Sequence, residues 1–174
     1  MRCYIMKKLL AITLLVSAFS APTLAENIFT PDNLDDWTYS ISYNFYTSHY
    51  LSDGYIDEDD GKFVEWNETN NLFGFRVNVN ENIGYFIATG KNSFYETSVM
   101  SGIEFSTAHE IIEYGFDAGL ATGYEKFVSF EVLPFVNPFV KLNLKLTDKL
   151  TASVRVGNMN FMATNAFFEL KMGF

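Results

Sequence analysis

From residue 38 onward the chain falls into segments whose side chains alternate in character, with polar turns between them. A period of two puts successive side chains on opposite faces of a strand, whereas a helical stripe has a period of 3.6. Eight segments carry the pattern: 38–47, 71–79, 83–91, 96–105, 111–124, 132–146, 150–157 and 165–174. Eight is the smallest common number of antiparallel strands in an outer-membrane barrel. The expected fold is all-β, an eight-stranded antiparallel transmembrane β-barrel over residues 38–174.

The connections agree with this. Those after the second, fourth and sixth segments are short: Asn80-Glu81-Asn82, residues 106–110, and Thr147-Asp148-Lys149. The first runs from about Ser48 to Asn70, and the others are polar or irregular. Barrels of this kind keep tight turns in the periplasm and place longer loops outside.

Alternation alone does not say which face is inside, because a soluble sandwich or lipocalin-like barrel also alternates, with its apolar face inward. Aromatic residues make up 17% of the chain, and a membrane-facing belt would accommodate them. The face with Tyr85, Tyr114, Phe116 and Tyr124 is expected to meet lipid, as is the terminal face with Phe168, Leu170, Met172 and Phe174. A final Phe on an alternating last strand resembles the terminal signal of bacterial outer-membrane proteins.

Residues 1–25 read as a signal peptide: Arg2, Lys7 and Lys8, then LLAITLLVSAFSA, then Thr23-Leu24-Ala25. The apolar part is shorter than the roughly 20 residues a spanning helix requires. Residues 26–37 form a short periplasmic segment before the barrel. Cys3 falls within the leader, so the mature chain is expected to have neither a disulfide nor a cysteine metal site. The formal net charge is −9, and loss of the basic leader makes it more acidic, so nucleic acid is not an expected partner. An eight-stranded barrel closes alone, and a monomer is expected.

With lipid outside, the opposite face lines the lumen. Arg76, Glu104, Glu113, Lys145, Glu169 and Lys171 fall toward the periplasmic ends of their strands, where opposite charges can pair and form a polar plug. The outer half draws Phe86, Ala88, Gly90, Gly119, Ala121 and Gly123, with Met100 and Gly102 below them. Small side chains do not fill an eight-stranded interior, so an apolar hollow is expected there. The same glycines are also explained by close strand approach and barrel bending.

A polar knot, Lys91-Asn92-Ser93, closes off the third segment, and His49 in YTSHYLS lies just past the first. With VLPFVNPF at 132–139, this layout resembles the PagP family, the lipid A palmitoyltransferases of the outer membrane. The resemblance implies a site at the outer mouth made of His49, Asn92 and Ser93, beside an acyl pocket lined by the outer-lumen residues. It also implies lateral lipid entry near Pro134 and Pro138, with membrane phospholipid and lipopolysaccharide as partners. Two positions depart from the family. Asn92 stands where the family has an acid, and it does not ionise. Glu104 stands where a glycine marks the pocket floor, and a carboxylate there would shorten the pocket. The family's N-terminal amphipathic helix is reduced to PDNLDDW at 31–37.

Acyl transfer needs a base, stabilisation of an oxyanion and a held acyl chain. His49 suits the base, since histidine titrates near neutral pH. Ser93 would act as nucleophile or ester-orienting hydroxyl, and Asn92 as oxyanion donor. On spacing alone, Asn92-Ser93 reads first as a turn former and His49 as a loop histidine. The acidic run Asp53, Asp57, Glu58, Asp59 and Asp60 reads as a solvated loop that can collect divalent cations at a lipopolysaccharide surface. Asn67-Glu68-Thr69 fits a glycosylation triplet without consequence in a bacterial protein. With no metal-spaced histidines, phosphate-binding glycine loop or GxSxG, no cofactor is expected. The competing expectation is a non-catalytic small barrel of the OmpX or OmpW kind, in surface interaction or envelope stability. A lumen filled by side chains would point to it.

Overall fold

The computed structural model describes residues 37–57, 61–125 and 131–173. The leader, residues 26–36, the acidic residues 58–60 and the terminal Phe174 lie outside them.

The described strands are β1 (Thr38–His49), β2 (Gly54–Ile56), β3 (Phe63–Glu65), β4 (Phe73–Asn78), β5 (Ile83–Lys91), β6 (Thr97–His109), β7 (Ile112–Thr122), β8 (Val132–Lys145), β9 (Leu150–Met159) and β10 (Ala163–Gly173). Eight of them close a barrel in the order β1-β10-β9-β8-β7-β6-β5-β4, while β2 and β3 form a separate hairpin. The barrel pairings are antiparallel, and β1 closes the ring between β10 and β4.

The eight alternating segments are the eight barrel strands. The connection expected at 106–110 is shorter than its polar composition suggests. Residues 106–109 extend β6 and pair with Ile112–Gly115. Only Glu110 and Ile111 turn the chain, with Glu110 at φ 56°, the positive value a two-residue hairpin loop needs. The β2–β3 hairpin has no counterpart in the sequence reading, because three-residue strands are too short to display a period.

The apolar face points outward. Ile41, Phe73, Phe75, Ile87, Tyr114, Leu120, Val140, Leu142, Val154, Val156 and Phe168 are exposed on the barrel wall, while Arg76, Glu104, Glu113, Lys141, Arg155 and Glu169 are buried inside. A soluble barrel has the opposite arrangement. A closed ring leaves no strand edge in hydrocarbon, and an apolar exterior over a polar lumen is the build of a transmembrane barrel of the outer-membrane type.

Two expectations fail where strands end. Tyr124, expected toward lipid, is buried, because Gly123 takes φ +78° just past the end of β7 and turns the chain over the mouth. Lys145, expected in the plug, is exposed and reaches Asp148 at 2.9 Å, because β8 ends there and the side chain clears the rim.

A single extra residue rotates the upper part of β1. Its register with β10 shifts between Asn44 and Tyr46, so Phe45 is a β-bulge. Below it the buried positions are Ser40 and Asn44, even-numbered; above it Thr47 is buried, while Phe45 and Tyr46 are both exposed. Bulges re-aim side chains in this way. Without it, simple alternation would direct Ser48 inward and His49 toward lipid.

Candidate functional site

The lumen is layered. On the periplasmic side, Arg76 reaches Glu169 at 2.6 Å and Glu104 at 2.9 Å. Arg155 reaches Glu104 at 3.0 Å and also pairs with Asp117. Lys141 holds Glu113 at 3.0 Å and Glu169 at 3.1 Å. Asn137 and Asn143 donate to Asp117 and Glu113, each at 3.0 Å. These groups come from six strands, so the network ties β4, β6, β7, β8, β9 and β10 across the barrel. Charges at this depth persist because each carboxylate is paired and hydrogen-bonded. Glu104 sits within this polar floor, between two guanidinium groups.

The Arg155 guanidinium also lies 3.7 Å above the Phe139 ring, a cation–π contact inside the charged floor. Beyond it an apolar cluster fills the outer half: Leu72, Phe94, Met100, Ala121, Tyr124, Leu133 and Phe135, with Phe86 and Ala88 packed against it. Two of the expected pocket glycines have a tighter role. Gly102 and Gly119 face each other across β6 and β7. A Cβ on Gly102 would stand 2.2 Å from the Ala118 carbonyl oxygen, and one on Gly119 2.2 Å from that of Ser101. Close approach of the two backbones requires glycine there.

At the mouth, the Phe45 bulge directs His49 inward. Its Nε2 lies 2.8 Å from Ser93 Oγ, in the turn between β5 and β6. The imidazole stacks on Trp66 with ring centroids 4.8 Å apart and planes inclined by 21°. Trp66 is held by its own Nε1–H, which donates to the Ser52 carbonyl at 2.8 Å, and by edge contact with Phe94. Tyr55 of β2 packs against both Trp66 and Phe94. The β2–β3 hairpin thus lies over the His49–Ser93 pair. Among the described residues His49 Nδ1 has no hydrogen-bond partner, and stacking on Trp66 orients the ring.

Asn92 is close in sequence but faces away. Its Oδ1 accepts from the backbone N–H of Phe94 at 2.9 Å and of Glu96 at 3.0 Å, and its Nδ2 donates to the Gly123 carbonyl. This is the local bonding that makes Asn a turn residue. It fixes the loop carrying Ser93 to the end of β7, and it ties the Asn92 amide to the backbone at both its oxygen and its nitrogen.

Two asparagines outside the expected set hold the pair from the other side. Asn67 donates its Nδ2 to the Asn92 carbonyl and its N–H to the Ser93 carbonyl, both at 3.0 Å. Asn70 donates Nδ2 to Ser93 Oγ at 3.4 Å. Their only sequence signal is the run Asn67–Asn71, whose first three residues match a motif with another meaning.

The two prolines lie at a seam that changes character along its length. β7 and β8 pair without a break from Ile112–Leu142 to Thr122–Val132. The β8–β9 register stops at Phe139–Gly157. Past it, Asn160 donates its N–H to the Val136 carbonyl at 2.8 Å and accepts the Val136 N–H on Oδ1 at 2.9 Å. Residues two apart in a strand send their N–H groups the same way. Pro134 and Pro138 therefore lack N–H groups on the side that faces β9.

Among the described residues, no three metal-ligating side chains gather at one point. No family model matches the chain, and no curated protein matches it. Solved structures with similar barrels include a de novo designed transmembrane β-barrel (12% identity, TM-score 0.48, covering 79% of this chain and 94% of that one). Others are the Yersinia pestis outer-membrane protein Ail (16%, 0.40, 79% and 99%) and the KdgM porin (12%, 0.29, 79% and 98%).

Proposed function

We propose that this outer-membrane barrel handles a lipid ester at its outer mouth, moving an acyl chain from a membrane phospholipid to a lipid A-type hydroxyl. The observation carrying this reading is the His49 Nε2–Ser93 Oγ distance of 2.8 Å between residues 44 apart in sequence. A base and a hydroxyl at this separation form the core of nucleophilic acyl transfer. Ser93 Oγ attacks the ester carbonyl carbon while His49 takes its proton. Collapse of the tetrahedral intermediate expels the lysophospholipid alkoxide, which recovers that proton. An acceptor hydroxyl, deprotonated by His49, then attacks the acyl-serine and restores Ser93. The apolar side chains beneath would line an acyl chain that displaced their packing, and the outer stretch of β8, where Asn160 stands in for a strand ladder, suits lateral entry.

A second reading has its own observation. The ion-pair floor and the apolar packing of Phe94, Tyr124, Leu133 and Phe135 fill the lumen at both levels, as in a non-catalytic barrel that acts in surface interaction or envelope stability. Mass spectrometry of lipid A separates the two, using cells lacking PagP that express this chain or its Ser93→Ala or His49→Ala variant. The first reading expects a mass increment of one acyl chain that disappears in both variants. Unchanged lipid A, with folded barrel present in the membrane, supports the second.

A further inference from the structure

We infer that Asn70, rather than Asn92, supplies the side-chain donor for the oxyanion that forms beside Ser93. This assignment rests on the acyl-transfer reading above and concerns the same mouth.

Three observations lead to it. Asn92 has both ends of its amide committed to backbone groups, so it cannot turn toward a bound ester without dismantling its turn. Asn70 is 4% exposed and points its Nδ2 at Ser93 Oγ from 3.4 Å, a long hydrogen bond, while its buried Oδ1 has no partner among the described residues. The backbone around Asn70 is anchored, since Asn67 bonds to both Asn92 and Ser93, and Thr47 N–H donates to the Glu68 carbonyl at 2.8 Å.

The weakness of the resting contact is itself informative. An oxyanion donor has to lie about 2.7–3.1 Å from where the carbonyl oxygen will carry its charge, and not from the attacking hydroxyl. The carbonyl carbon bonds to Ser93 Oγ, so the developing oxyanion arises next to that atom. A donor held slightly too far from Oγ is placed for the neighbouring oxygen. Burial strengthens its effect, because a dipole fixed in a low-dielectric site does not have to reorganise as charge develops. In the attack step the Ser93 proton moves to His49 Nε2, the new C–O bond forms, and the carbonyl π electrons move onto oxygen. Asn70 Nδ2–H then donates to that oxygen until the π bond re-forms and the leaving alkoxide departs.

The test uses the full-length barrel purified in detergent, with 4-nitrophenyl octanoate as acyl donor. Nitrophenolate release gives the rate, and intact-protein mass spectrometry reports acyl-Ser93. Asn70→Ala is expected to lower kcat by about 10²–10³ with KM little changed, as for loss of one oxyanion donor. Asn70→Asp keeps the side-chain shape but replaces the donor with a negative acceptor, and it should be at least as impaired. Heat-modifiable gel migration verifies the fold of each variant, and the Asp variant serves if the Ala variant does not fold. A folded Asn70→Ala or Asn70→Asp protein with unchanged kcat, alongside an inactive Ser93→Ala, would overturn the role of Asn70 and leave the acyl-transfer reading standing. A wild-type barrel that never acylates Ser93 would overturn both.

Discussion

The two ends of the lumen are held by different chemistry. The periplasmic half joins six strands through seven ionised side chains, each reaching the next across the barrel. The outer mouth joins its loops through asparagine amides and backbone carbonyls, with aromatic rings in between. In the lower half, position along a strand decides the partner, because the charges project from regular strands. At the mouth, loop conformation decides it. Rigidity at the floor and conformation-dependent assembly at the mouth are what a barrel needs if binding occurs at the loop end.

Removing a charge from the floor should have the largest effect. Glu104→Gln leaves Arg76 and Arg155 short of a buried counter-ion, and it is expected to cost about 3–5 kcal/mol, read as a lower urea midpoint for the gel-mobility transition. The mouth should respond less. Asn92→Ala strands two backbone N–H groups and the Gly123 carbonyl, at about 1–3 kcal/mol, with faster hydrogen exchange at Phe94 and Glu96 while floor amides stay protected. Smaller again is Asn160→Ala, about 0.5–1.5 kcal/mol, with faster exchange at Val136. At the far end of the scale, Lys145→Ala should leave the urea midpoint unchanged, because its pair with Asp148 stands in water outside the network. If Asn92→Ala proved as costly as Glu104→Gln, the contrast between the two regions would fail.

What was legible in the sequence follows from the same contrast. Strand positions and the floor charges are consequences of a two-residue period, and Arg76, Glu104, Glu113 and Glu169 point inward as alternation requires. The mouth obeys no period. His49 faces Ser93 because one extra residue at Phe45 reverses parity, and nothing in the letters TYSISYNFYTSH marks which residue is extra. Asn92-Ser93 was visible as a polar pair, but the direction of the Asn92 amide depends on Gly123, 31 residues away. Asn70 was hidden for the same reason, since its partner is fixed by how two loops meet. Tyr124 was misplaced by a glycine whose positive φ cancels the alternation just where it is extrapolated.

The outer stretch of the β8–β9 seam also has a consequence for the bilayer around the protein. Hydrocarbon offers no hydrogen bonds, so backbone groups at membrane depth must be satisfied by protein or reached by water and headgroups. Two seams stop pairing short of the mouth, β1–β4 at Tyr43 and Phe73 and β8–β9 at Phe139 and Gly157. Beyond these points loop residues take over the bonding, the Leu72 and Glu68 carbonyls to β1 and Asn160 to Val136 of β8. At the β8–β9 seam Pro134 and Pro138 bring no N–H groups, so fewer backbone donors there need a partner where hydrocarbon offers none.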